Sequence, residues 1–393
     1  MSYDQTMRLI GARVLRHDTL IDEEIVVRGG RLGATPEGRR VDLHGYLVLP
    51  GIIDLHGDAF ERHLAPRPSA PFPSDVGLHA VDRDAASNGI TTAWMAQSWS
   101  WEGGSRGPDF AEAFMDALAE YRPHALTDLR IQIRCETHTV ETEARLLAAV
   151  ARHKIDYVIF NDHLGEALDM LKTDPEGLAV WAKRAGRDIA AHTAVVHEAL
   201  SLRGRVPRYL CNLAAAFDRA GILYGSHDDP DAVTRDYYGM IGARICEFPT
   251  SAEPAQVARA MGNPVLMGAP NVVRKGSQSG NIAATDLIRR GLCDVLVSDY
   301  HYPSLARAAF SLVDDGVMSF AAAWRMISTN PARIMRLSDR GVIAAGKRAD
   351  LVICNAHTRQ IEGTMVAGRW SHICGGLADR LTALPPAMAH AAE

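Results

Sequence analysis

The chain has 393 residues, 47% of them hydrophobic, with 42 Lys and Arg against 47 Asp and Glu for a net charge of −5. That length accommodates a barrel of about 250 residues plus a smaller unit. No basic run or helix stands out and no stretch of about 18 apolar residues exists, which argues against a nucleic-acid partner and against a membrane span.

The six cysteines, Cys135, Cys211, Cys246, Cys293, Cys354 and Cys374, show no CxxC spacing. Such a set predicts reduced, mostly buried thiols in a cytoplasmic protein. The polar start, Met1-Ser2-Tyr3-Asp4-Gln5, lacks the apolar centre of a signal peptide.

Residues 7–10 and 24–27 read as short strands, with a Gly29-Gly30 turn after the second, and 46–49 runs into Pro50-Gly51. Eight apolar runs follow, at 51–56, 90–96, 130–136, 156–162, 221–227, 242–248, 264–268 and 294–299. Helical stretches such as 110–121, 142–153 and 206–220 separate them. This alternation predicts a parallel (β/α)₈ barrel of the TIM type. The interval 163–220 is long enough for more than one helix. Strand-like composition returns at Gly341-Val342-Ile343, 350–353 and 364–369, after which an Ala- and Pro-rich tail is expected over 376–393. The economical arrangement is a small β-sandwich built from residues 1–50 and 340–375, with the barrel, 51–339, inserted between them.

In such a barrel functional groups sit at the C-terminal ends of the strands. The first run ends in His56-Gly57-Asp58, the third in Glu136-Thr137-His138 and the fourth in Asn161-Asp162-His163. The fifth ends in Ser226-His227-Asp228-Asp229, the sixth in Glu247 and the eighth in Asp299-Tyr300-His301. One His or Asp after a strand is ordinarily a loop residue or a helix cap. Ionisable groups gathered at one barrel mouth imply a cation or substrate that compensates them. Side chains alternate along a strand, so His56 and Asp58 share the side that faces the axis. Imidazole with carboxylate suits Zn²⁺, and also Mn²⁺ or Fe²⁺. His63, His79, His124, His153 and His197 fall in helices or loops and are read as non-ligands, while His138 and His301 stay open as substrate contacts. After the seventh run, Arg274, Lys275, Ser277, Ser279 and Asn281 precede an expected helix at 282–290, the composition of an anion cradle or of an ordinary surface loop. Pro66-Arg67-Pro68 adds a further guanidinium.

These residues resemble the amidohydrolase superfamily. Leu49-Pro50-Gly51-Ile52-Ile53-Asp54-Leu55-His56 is similar to its first strand, which usually ends HxH, and Gly346-Lys347-Arg348-Ala349-Asp350-Leu351-Val352 to its returning β-strand. Over about 45–375 the narrower resemblance is to the α-D-ribose 1-methylphosphonate 5-triphosphate diphosphatases of phosphonate metabolism. It rests on His56-Gly57-Asp58 with Ala65-Pro66-Arg67-Pro68, Ser226-His227-Asp228-Asp229, Glu247-Phe248-Pro249-Thr250, the 265–281 loop and Ser298-Asp299-Tyr300. That subfamily also carries Asp in place of the second His. Gly57 and Ala59 depart from its usual HTDN, Gln278 stands where His is common, and Leu164-Gly165-Glu166-Ala167-Leu168 replaces a longer cationic insertion.

The resemblance implies metal-assisted hydrolysis. His56, Asp58, Glu136, His163, His227 and Asp299 would hold one or two divalent ions, Zn²⁺ first and Mn²⁺ or Fe²⁺ as alternatives. Asp299 would also be the general base. Arg67, Asp228, Arg274, Lys275, Ser277, Ser279 and Asn281 would contact a small phosphorylated substrate. The implied reaction releases diphosphate from α-D-ribose 1-methylphosphonate 5-triphosphate or a related ribose triphosphate. Two other readings are a hydrolase of a C–N bond in a cyclic amide or N-acyl substrate, and a non-catalytic degenerate barrel. A homodimer is the expected assembly.

Overall fold

The computed structural model describes residues 6–33, 38–67 and 70–382. Eight parallel strands, Ile52–Gly57, Ile90–Trp99, Asp128–Glu136, Tyr157–Asn161, Leu223–His227, Ile245–Glu247, Val265–Gly268 and Val295–Val297, pair in sequence order. Most positions of these strands are buried on both faces, so most of them read as apolar runs, whereas the third alternates apolar with polar residues. The first and last meet at a parallel bridge between Gly57 and Asp299. There Asp58 N–H donates to Asp299 O at 2.8 Å and Asp299 N–H to His56 O at 3.0 Å. Below that seam the buried Asp54 carboxylate accepts from Ser298 N–H at 2.9 Å and from its hydroxyl at 2.6 Å. One carboxylate thus pins the last strand to the first.

Helices Pro108–Tyr121, Glu143–His153 and Val206–Ala220 cover the outside. The long interval after the fourth strand folds as Leu164–Thr173, Pro175–Arg184, Ile189–Ser201 and then Val206–Ala220. Asp174 and Asp188 cap the second and third of these by accepting from Gly177 and Ala191 N–H. Their apolar faces bury Leu164, Ala167, Val196 and Ala199 against Trp101 and Trp181, a small core separate from that of the barrel.

The remaining strands form two sheets. Arg31–Gly33, Ile25–Arg28, Met7–Ile10 and Arg39–Asp42 make a four-stranded sheet. Arg369–Ile373, Ile361–Val366, Leu351–Asn355, Tyr46–Pro50, Arg13–Arg16 and Thr19–Asp22 make a six-stranded one. Leu9 and Val27 of the first pack in one core with Val14, Val48, Ile353 and Met365 of the second, so the pair is a sandwich. Both chain ends meet where Tyr46–Pro50 runs antiparallel to Leu351–Asn355.

Three expectations are corrected. Gly341-Val342-Ile343 forms no strand, and residues 364–369 are not one run. Ala367 and Gly368, at φ 49° and 77°, turn the chain between two strands, the geometry of a two-residue hairpin. The expected tail begins with a helix, Gly375–Thr382, whose Leu377 is buried in the sandwich core. Residues 383–393 of that tail, the Met1–Gln5 start and Pro68 lie outside the described residues. Among the described residues no helix is long and apolar enough to cross a membrane. All six cysteines are free, Cys135, Cys246 and Cys354 buried, Cys293 and Cys374 half-buried and Cys211 exposed.

Candidate active site

Glu247, fully buried at the end of the sixth strand, anchors one cluster. Its Oε1 accepts from Gln132 Nε2 at 2.9 Å and from the Tyr157 hydroxyl at 2.8 Å. Its Oε2 lies 2.9 Å from His56 Nδ1 and 3.9 Å from His227 Nε2. Burial alone would raise the Glu247 carboxyl, but the His56 imidazole outweighs it and holds the group below its ordinary value. The same pairing lifts His56 above the usual imidazole range against its own burial. The His56 and His227 rings both pack on Phe248, at 5.1 and 5.0 Å between centroids.

A second cluster joins the ends of the second, third and fourth strands. His163 Nδ1 lies 2.5 Å from Glu136 Oε1 and 3.7 Å from Glu102 Oε1. Glu136 Oε2 accepts from the His163 N–H at 3.1 Å, and Asn161 donates to Oε1 at 3.2 Å. Burial opposes ionisation of Glu136, yet His163 brings its carboxyl down to about 2. Arg106 holds Glu102 at 3.0 Å. In each cluster the three donor atoms lie within 4.8 Å of one another.

The predicted set is therefore divided. His56 and His227 sit with Glu247, and Glu136 and His163 with Glu102. Asp58 and Asp299 line the cavity above them but belong to neither triad. Glu102 was missed because the second strand runs to Trp99 rather than 96, so its C-terminal loop begins three residues later than expected. Glu247 was visible at a strand end but carried no assigned role.

Three residues at strand ends adopt left-handed backbone, Asp228 at φ 58°, Phe248 at 51° and Asp299 at 55°. Such conformations cost non-glycine residues energy and concentrate at functional sites. His227 Nδ1 is 2.9 Å from Asp228 Oδ2 but lacks hydrogen-bond geometry, and neither buried ring nitrogen of His227 is hydrogen-bonded among the described residues. Burial raises Asp228, but the adjacent imidazole brings it down to about 2. Burial first, and then the neighbouring Asp58, push Asp299 up to about 6. An imidazole with two orphaned nitrogens beside buried carboxylates fits a divalent cation, since imidazole and carboxylate oxygen are ordinary ligands for Zn²⁺, Mn²⁺ or Fe²⁺.

These groups open into a cavity of about 210 Å³. His56, Asp58, Arg134, His227, Asp228 and Asp299 line it together with Arg274, Ser277, Ser279 and Asn281 from the seventh loop. That loop is not irregular throughout. It starts with a five-residue helix, Ala269–Val273, and the next helix is Ala284–Arg289. Asn271 Oδ1 accepts from Ala284 N–H at 2.9 Å, so the loop offers side chains rather than the expected helix N-terminus. Lys275 and Arg67 do not line the cavity. Lys275 turns at φ 62° and places Nζ 3.3 Å from Asp315, while Arg67 bridges to Ala70. His138 and His301 lie outside it too, beside Asp162 and Ser304 respectively. Of the histidines read as non-ligands, His63 pairs with Asp84 and His79 packs on Tyr121.

A parallel barrel whose C-terminal mouth gathers buried imidazoles and carboxylates is the architecture of metal-assisted hydrolases. The sequence pattern described as "Amidohydrolase family" matches residues 215–371. The α-D-ribose 1-methylphosphonate 5-triphosphate diphosphatase of Escherichia coli (strain K12) is 32% identical over 367 residues, 90% of this chain and 97% of that protein. This chain belongs to the amidohydrolase family. An adenine deaminase of Brucella abortus (strain 2308) is 26% identical over 377 residues, and the chain spans 52% of its length. Two crystal structures share the fold. That of an amidohydrolase has a TM-score of 0.64 at 13% identity, covering 93% of this chain and 98% of that one. That of an N-acetylglucosamine-6-phosphate deacetylase from Pasteurella multocida has a TM-score of 0.61 at 13% identity, covering 93% and 99%.

Proposed function

We propose that the chain hydrolyses a phosphoanhydride, releasing diphosphate from α-D-ribose 1-methylphosphonate 5-triphosphate or a related ribose 5-triphosphate. The observation that carries this reading is the cavity itself, which sets imidazoles and carboxylates beside two guanidinium groups, Arg134 and Arg274. The likeness to a diphosphatase along nearly its whole length supports the same substrate class.

Zn²⁺, or Mn²⁺ or Fe²⁺ in its place, held by His56, His227 and Glu247 and by Glu102, Glu136 and His163, would supply Lewis-acid activation of water and of the phosphoryl group. Gln132 and Tyr157 fix the Glu247 carboxylate through its Oε1. Asp299 is positioned by the two backbone hydrogen bonds of the seam. In the metal-free fold its carboxyl is pushed up to about 6, so it is ionised at neutral pH and able to take a proton from the attacking water. The water oxygen bonds to phosphorus, the anhydride P–O bond breaks, and diphosphate leaves with the bonding pair. Arg274, Ser277, Ser279 and Asn281 are placed to hold the departing diphosphate and offset its charge.

The likeness to adenine deaminases favours a second reading, hydrolysis of a C–N bond. Diphosphate release from ribose and nucleoside 5-triphosphates, measured beside ammonia release from adenine and cleavage of N-acyl amino acids, separates the two. Turnover of the triphosphates alone is expected. Turnover of adenine or amides alone would sink the phosphoanhydride reading. Loss of neither substrate, in protein that takes up no divalent metal, would favour a non-catalytic barrel.

A further inference from the structure

We infer that Arg134 forms an anion site on the floor of the cavity, gripping two oxygens of one phosphoryl group at the reacting end of the substrate. The choice of a phosphoryl ligand rests on the proposed function. The presence of an anion site there rests on the geometry alone.

Arg134 lies on the third barrel strand between Gln132 and Glu136, so all three side chains point to the barrel interior. It is 9% exposed. A guanidinium carries five N–H donors, and among the described residues none of those of Arg134 is hydrogen-bonded. Its Nε is buried without a partner. The nearest carboxylate oxygen, Asp58 Oδ2, is 3.9 Å from Nη1, beyond hydrogen-bond reach. The other two buried arginines among the described residues both donate several hydrogen bonds, though the Nε of Arg235, like that of Arg134, has no partner. Arg235 donates to Ser226, to Asp229 and to the carbonyls of Ala243 and Ile245. Arg340 donates to Thr92, Asp128 and Asp339. Those two hold structure together, whereas Arg134 holds its donors free at a cavity wall.

The surrounding charge tells what belongs there. Asp58, Glu136, Asp228 and Asp299 all act electrostatically with Arg134. Among the described residues none of these carboxylates comes within hydrogen-bond reach of the guanidinium, so they offset its charge from a distance but leave its donors unpaired in a partly desolvated site, a costly state. An anion placed against it satisfies those donors. The planar fork matches a pair of oxygens on one phosphorus. Arg274, Ser277 and Ser279 approach the same cavity from the seventh loop, so the two cationic groups address different parts of one chain of phosphates. Arg134, next to the ligand-bearing Glu136, faces the phosphoryl group under attack, and Arg274 the diphosphate that leaves.

The test is calorimetric titration of inorganic phosphate, of diphosphate and of acetate into wild type, Arg134→Gln, Arg134→Lys and Arg274→Ala, each as purified and after chelator treatment. Wild type should bind phosphate well above acetate. Arg134→Gln should lose about tenfold or more of that affinity in both forms, and Arg134→Lys several-fold, since charge survives but the fork does not. Arg274→Ala should weaken diphosphate more than phosphate. Equal phosphate binding by wild type and Arg134→Gln, or equal binding of acetate and phosphate by wild type, would overturn the inference. If Arg134→Gln does not fold, Arg134→Lys decides, and phosphate affinity equal to wild type would count against it. Phosphate binding that depends on Arg134 in a protein that hydrolyses no triphosphate would remove the proposed reaction and leave this site standing.

Discussion

Asp299 carries opposed demands. Its carboxyl is pushed up to about 6 in the fold, above the ordinary value of 3.8. A carboxyl raised on folding favours the native state when protonated. Its contribution is therefore present at low pH and is lost as pH rises through about 6. At neutral pH the ionised group costs stability, so Asp299→Asn should stabilise the chelator-treated protein by about 1–2 kcal/mol at pH 7 and by less at pH 4. Urea unfolding at the two values checks this, and a variant less stable than wild type at pH 7 would refute it. The same substitution should lower diphosphate release by roughly 10²–10⁴-fold while bound metal stays near the wild-type amount. Unchanged turnover would take Asp299 out of the proposed chemistry.

Single residues were unevenly legible in the sequence. His56, Glu136, His163 and His227 follow apolar runs directly, and that position marks them. Glu102 does not, because the polar Gln97 and Ser98 disguise the last turns of a fully buried strand. Arg134 is hidden for a different reason. A charged residue inside a strand pattern reads as an outward-facing position, and only closure of the sheet into a barrel turns that face inward.

At the level of elements, the fifth and sixth strands approach too closely for a side chain between them. A Cβ on Gly225 would meet the Ile245 carbonyl oxygen at 2.2 Å, and backbone cannot yield as a side-chain tip can. Gly225→Ala should cost about 3 kcal/mol by forcing the strands apart. Because His227 is two residues on and Glu247 two residues beyond Ile245, it should also reduce metal uptake. A variant with wild-type unfolding midpoint and metal content would contradict this. The buried Arg235 fastens the same pair of strands from outside the barrel through Ser226, Asp229 and two carbonyls. Arg235→Ala should destabilise by about 3–5 kcal/mol, since it leaves Asp229 buried without its charge partner. The eight strands could be read from sequence because burial on both faces makes most of them apolar. The strands Arg13–Arg16, Thr19–Asp22 and Arg39–Asp42 were not, because each mixes charged residues with at most two buried ones.

For the molecule as a whole, the sandwich and the barrel share one continuous stretch of chain. Tyr46–Pro50 is a central strand of the six-stranded sheet, and one residue later Ile52–Gly57 begins the barrel. Gly51 N–H donates to Asp350 O at 2.9 Å and Trp324 Nε1 to Pro50 O at 3.0 Å, so the crossing is held by residues from the far end of the sequence. Truncation after Arg348 removes three of the six strands and leaves Tyr46–Pro50 unpaired on the side that faces Leu351–Asn355. The product should be aggregation-prone and low in metal, as judged by size-exclusion and metal analysis, even though every ligand residue is retained. A monodisperse, metal-loaded product would show that the sandwich is dispensable.

The pairing of Tyr46–Pro50 with Leu351–Asn355 also sets an order in time. The strand that leads to His56 leaves the ribosome early, but its partner follows on the order of 300 residues later, a delay of tens of seconds at ordinary synthesis rates. Until then the first histidine of the mouth hangs from an incomplete sheet, and the barrel seam at Asp299 has only just become available. Completion of the barrel mouth is in this way deferred until Leu351–Asn355 has been made, so its candidate ligands are not gathered on a nascent, half-built sheet.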